Sequence, residues 1–180
     1  MKAMTRACLC AVFALAFASA ALAQDPKSAT LAKELAAALE AAQLDSIAAK
    51  DPANADTFVA ALYFKGMQLL VVSAKYSAPL ILEERIAKKE YRDVYLDLTG
   101  AGMPDTKVFV EDLASDGLKP DHQNNTPFDA HEAGGKRTAF DGDWGKQKLS
   151  EEEYQKKFAA ADEQYSHMLT ALLAQVKKPS

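Results

Sequence analysis

The chain has 180 residues, of which 21 are basic and 25 acidic, for a net charge of −4 at neutral pH. An acidic balance without a long basic run excludes the usual electrostatic binding of nucleic acid. Both cysteines, Cys8 and Cys10, stand near the start, so the rest of the chain has no disulfide, thiolate nucleophile or thiolate metal site to draw on.

Lys2 and Arg6 precede an apolar run from Ala7 to Leu22 that closes on Ala21-Leu22-Ala23. This is the three-part pattern of a secretory signal peptide, too rich in alanine and too short for a membrane span. Residues 1–23 are therefore expected to be cleaved before Gln24, placing the mature protein in the periplasm or outside the cell with no stable membrane span. Residues 24–180 are long enough for one globular domain. Loss of Lys2 and Arg6 takes the net charge from −4 to −6.

Asp25-Pro26 suits a helix start, since aspartate caps free amides and proline tolerates the first turn. Leu31, Leu35 and Leu39 then recur at helical spacing, and the helix is expected to run until just before Lys50-Asp51-Pro52. Two apolar runs, from Phe58 to Phe64 and from Met67 to Val72, flank Lys65-Gly66 and predict a hairpin. Neither run alternates, so both strands are expected to be covered on both faces. Ser77-Ala78-Pro79 predicts a short helix. Tyr91 to Leu98 alternates as a half-wet strand, and Lys107 to Leu113 predicts another.

Lys119 to Lys136 is polar, with prolines, paired asparagines and paired glycines, and reads as a long surface loop. Arg137 to Phe140 adds a short strand. Ser150 and Glu153 form a capping box with Leu149 and Tyr154 as its staple. From there Tyr154, Phe158, Ala161, Tyr165, Met168, Leu169, Leu172 and Val176 mark the core face of a long terminal helix.

Signatures of chemistry are sparse. Asp116, Asp121, His122, Asp129, His131 and Glu132 offer oxygen and imidazole ligands in the 116–132 loop, but without a fixed metal spacing. Asp141-Gly-Asp143 with Glu152 imitates a calcium loop, yet Lys146 stands where that loop needs glycine. There is no nucleophile elbow, phosphate loop or dinucleotide fingerprint. No residue is assigned as catalytic or metal-ligating.

One stretch carries a resemblance. Leu69-Leu-Val-Val-Ser-Ala-Lys75 through Ile86-Ala-Lys-Lys-Glu-Tyr-Arg-Asp-Val-Tyr-Leu96 is similar to the strand, helix and strand of the pyridoxamine 5′-phosphate oxidase-like, FMN-binding split-barrel proteins. In that family the junction faces the flavin phosphate. The resemblance thus implies FMN as a cofactor and nominates Ser73, Lys75 and Ser77 as its binding residues. By element order alone the chain is also similar to roadblock-type or profilin-like domains, which act by pairing with partners.

The expected fold is α+β: a central antiparallel sheet, in split-barrel form if the resemblance holds, packed by an N-terminal helix and a long C-terminal helix. The expected function is an exported, non-catalytic domain that binds a small molecule or a protein, a second copy of itself included. An FMN-binding oxidoreductase is the alternative, followed by a metal-dependent hydrolase built on the 116–132 loop.

Overall fold

The computed structural model describes residues 26–51, 57–75, 108–121 and 128–177. The expected signal peptide, the helix after Ser77-Ala78-Pro79 and the strand from Tyr91 to Leu98 lie outside them.

Helix α1 spans Lys27–Ala42 and buries Ser28, Ala32, Leu35 and Leu39. It stops well before Lys50. Gln43 turns left-handed at φ 55°, and its amide and that of Leu44 bond back to carbonyls of the last turn, which ends the helical ladder. The continuation, Ser46–Lys50, is strand β1. Read from the sequence it extended the helix, because Ser-Ile-Ala-Ala-Lys has no strong strand preference; pairing with its neighbour decides its conformation.

Strands β2 (Thr57–Phe64) and β3 (Gln68–Lys75) form the expected hairpin, with Phe64 opposite Gln68 and Gly66 taking the left-handed conformation at φ 68°. Strand β4 is Val108–Leu113. Strands β5 (Ala130–Ala133) and β6 (Lys136–Ala139) follow. The region read as one polar loop thus contains a strand, and its paired glycines are the hairpin turn. Gly134 and Gly135 sit at φ 59° and 73°, the two consecutive positive angles that a tight hairpin needs.

All neighbouring strands pair antiparallel, in the spatial order β1-β2-β3-β4-β5-β6. The described strands form an open meander and do not close into a barrel, split or otherwise. One face carries Val59, Ala61, Tyr63, Leu69, Val71, Val108 and Val110 into a core shared with both helices. On the other face Phe58, Ala60, Leu62, Leu70, Val72 and Phe109 form a second buried cluster. This two-sided burial is what the unbroken apolar runs of β2 and β3 predicted.

Helix α2, Glu151–Val176, begins at Ser150 with the expected capping box formed in both directions. Tyr154, Ala161, Tyr165, Met168, Leu169 and Leu172 are buried along its inner stripe, each of the larger ones contributing about 1.5–3 kcal/mol by leaving water. None of the described helices is long and apolar enough to cross a membrane.

The two helices are joined by a cap that crosses between them. Pro26 is the N-cap of α1 and supplies no side-chain acceptor. The Lys27 and Ser28 amides donate instead to Asp162 of α2, at 2.8 Å and 3.1 Å. Above that junction lies the turn after β4, where Gly117 has φ 91° and a Cβ placed on it would come within 2.4 Å of the Ala29 Cα.

Two substitutions separate these effects. Gly66→Ala meets nothing within 4 Å and should cost about 1–2 kcal/mol from left-handed strain alone. Gly117→Ala adds a backbone collision with α1 and should cost clearly more, read as a larger drop in the urea midpoint at unchanged m-value.

Candidate functional site

The polar groups of the fold concentrate where β4 ends. Glu111 and Asp112 are consecutive in an otherwise apolar strand, so they point to opposite faces. On the second face Glu111 accepts from Gln68 Nε2 at 2.7 Å and Arg137 Nη2 at 2.5 Å, and the Arg137 guanidinium lies 5.9 Å from the centre of the Phe109 ring. On the helix face Asp112 is fully buried. Its Oδ2 accepts from Tyr165 Oη of α2 at 2.8 Å and from the Gly117 amide at 2.9 Å, and its Oδ1 from the Asp116 amide at 3.0 Å.

Asp129, also fully buried, braces the same turn from the other side. Its Oδ1 accepts from the Leu113 amide at 2.8 Å and its Oδ2 from the Lys119 amide at 2.9 Å. Between the two carboxyls the backbone is strained: Ala114 and Ser115 are left-handed at φ 65° and 54°, which non-glycine residues rarely adopt. The turn is tied to α1 as well, because the Leu118 amide donates to Ser28 Oγ at 3.0 Å.

Every described partner of Asp112 and Asp129 is neutral. Lys119 Nζ, the cation of the turn, pairs with Asp116 Oδ2 at 2.5 Å. Burial raises Asp112 to about 7, with the charge of Asp129 adding to it and the bonds from Tyr165, Gly117 and Asp116 opposing it. Burial likewise raises Asp129 to about 6, against the lowering effect of the Leu113 and Lys119 amides. Desolvation wins in both cases. Tyr165 is pushed well above the ordinary tyrosine range by burial and by Asp112, so it stays a proton donor.

These groups can hold a proton near neutrality, but their oxygens face backbone amides and a phenol inside the core. A general acid or base must come within reach of its substrate's proton.

The residues singled out in the sequence do not converge. Asp116 and Asp129 share the turn. Asp121 lies against Gly142, and His122 lies outside the described residues. His131, opposite Val110 in register, faces α2 and bonds Gln164 at 3.2 Å; burial lowers its proton affinity. Glu132 is opposite Phe109, on the other face. Among the described residues no three His, Cys, Asp or Glu side chains form a group that could hold a metal.

The calcium-like stretch is a turn held by its own side chains. Asp141 Oδ1 accepts from the Asp143 amide at 3.0 Å, and Lys146 Nζ pairs with Asp141 at 3.4 Å. Tyr154 Oη ties it down, accepting from the Gly142 amide at 2.9 Å and donating to the Pro120 carbonyl at 2.7 Å.

At the nominated flavin junction, Ser73 is buried in β3 and donates to Asp51 Oδ2 at 2.7 Å, beside Thr57 Oγ1 at 3.2 Å from the same oxygen. A phosphate at Ser73 would have to displace a carboxylate. Lys75 ends β3 opposite Thr57, and Ser77 lies outside the described residues.

Sequence reading passed over Asp112 and Tyr165. Two adjacent charges inside an apolar strand were the available signal for the first; Tyr165 looked like one more member of an apolar stripe.

No family model, no curated protein and no solved structure matches this chain.

Removing the phenol tests how much the buried carboxyl depends on it. Tyr165→Phe should cost about 1–3 kcal/mol, because it leaves an Asp112 oxygen short of a donor in the core. Equilibrium urea denaturation measures this, and far-ultraviolet circular dichroism should be unchanged.

Proposed function

We propose that the protein is exported and works outside the cytoplasm as a small non-catalytic domain that binds a ligand or a protein partner. One observation carries the non-catalytic part of this reading: the carboxyls with raised proton affinity, Asp112 and Asp129, have all four oxygens engaged by the protein's own amides and the Tyr165 hydroxyl. Their chemistry serves the fold. Export rests on the signal pattern of residues 1–23, ending in Ala21-Leu22-Ala23.

Two measurements test the reading. Mass spectrometry of the protein recovered from the periplasm or medium should show a chain beginning at Gln24; a chain retaining Met1 in the cytoplasm would remove the export half. Titration with FMN, followed by visible absorbance, should leave no retained yellow chromophore at micromolar flavin. Stoichiometric retention with turnover of a reducing nucleotide would replace the reading with a split-barrel oxidoreductase. Stoichiometric metal after dialysis, together with hydrolysis of a test ester, would replace it with a hydrolase.

A further inference from the structure

The described sheet runs from β1 to β6, and its two edges are finished differently. On β6 the Phe140 amide donates to the Asp129 carbonyl, and the register alternates from there. Thr138 and Lys136 therefore share the side bonded to β5, and the backbone groups of Arg137 and Ala139 point outward. That edge is guarded. It is short and charged, with Lys136 and Arg137 among its residues, and Gln147 Nε2 takes the Ala139 carbonyl at 2.6 Å. Shortness, charge and capping are means by which an edge is kept from pairing with another chain.

Strand β1 is nearly as short but has no such cap. The Tyr63 amide donates to the Asp45 carbonyl at 2.9 Å and the Asp51 amide to the Thr57 carbonyl at 3.1 Å, with an unbroken register between them. Asp45, Ile47, Ala49 and Asp51 thus hold the side bonded to β2, and the N–H and C=O groups of Ser46, Ala48 and Lys50 point away from it. Among the described residues none bonds these outward groups. The strand has no proline, and Lys50 at its end is its one charge. Just ahead of it Leu44 is 40% exposed.

We propose that this edge pairs with the same edge of a second copy, antiparallel about a two-fold axis, so that the sheet continues across a dimer. The proposal names a partner for the binding domain described above and rests on that reading. A two-fold seam must set outward groups against outward groups, which leaves two registers that keep most of β1 paired. Centred on Ala48, the seam would bring Asp45 of one copy level with Asp51 of the other on the same face, at both ends. Like charges opposed in this way are destabilising.

Centred on Ile47, the seam opposes no like charges. Ser46 and Ala48 then exchange backbone bonds with Ala48 and Ser46 of the second copy. The two Ile47 side chains meet at the axis, on the face that packs against the helices, and the aliphatic stem of Lys50 lies along the exposed Leu44 of the other copy. Charge selects this register. One short strand is far less than the roughly 20–30 residues a side of a stable complex, so the dimer is reversible.

Sedimentation velocity on the purified protein should show monomer at micromolar concentration and a rising dimer fraction toward millimolar. Over the same range, hydrogen exchange should show the Ala48 amide gaining protection while the outward Arg137 amide of β6 does not change. A monomer at every concentration would overturn the pairing and leave the edge to a different chain; a dimer whose Ala48 amide stays unprotected would overturn it too. Either result leaves the binding reading standing, since that reading fails on retained flavin or metal with turnover. Ala48→Pro removes an outward donor and leaves the β1–β2 bonds in place, as edge strands tolerate. It should weaken dimerisation about tenfold with unchanged circular dichroism, and unaltered association of the folded variant would also overturn the pairing. Should the variant unfold, the exchange measurement on the unsubstituted protein decides.

Discussion

A buried carboxyl group that, among the described residues, is bonded by amides and a phenol and by no cation is the constraint around which this fold is arranged. Asp112 sits at the end of a central strand, on the face that packs against both helices, where an unpartnered charge would be very costly. The chain meets that cost by bending back on itself, so that the Asp116 and Gly117 amides and the Tyr165 hydroxyl all point at it. The shape of the turn follows from this. Delivering those amides requires Ala114, Ser115 and Gly117 to be left-handed, and only at Gly117 is the space so tight that a side chain would strike α1.

The same turn organises the N-terminal helix. Asp162 of α2 accepts the first amides of α1, and Ser28, one residue into the helix, accepts from the turn. Strand β4, the turn, α1 and α2 therefore meet in one polar junction with apolar core below it. Each element supplies what another needs: a cap for a helix without its own, donors for a buried carboxyl. Polar networks in low dielectric hold strongly only when their members are satisfied.

Legibility in the sequence followed the strength of local signals. The β2–β3 hairpin, the core stripe of α2 and its capping box were all readable, because each rests on repeated residue types or on contacts within four residues. Strand β1 was read as helix because Ser46 to Lys50 is nearly neutral in preference and is extended only through pairing with β2. Strand β5 was read as loop because Ala-His-Glu-Ala carries no alternation, and its pairing with β4 and β6 comes from afar. The site was the least legible part. Asp116 and Asp129 stood out by composition, but the residue they surround, Asp112, comes from a strand, and its phenol donor from a helix 53 positions away.

By itself the sequence determined the α+β class, the two packing helices, the two-sided burial of the central hairpin and the confinement of both cysteines to residues 1–23. Those features depend on composition and short-range periodicity, which survive in one dimension. Only the tertiary structure decided that the sheet is an open meander, that α1 borrows its cap from α2, and that two buried aspartates face the amides of a single turn. Such contacts join residues far apart in the chain, and a carboxyl's proton affinity depends on the solvent and charges around it, which exist only once the chain has folded.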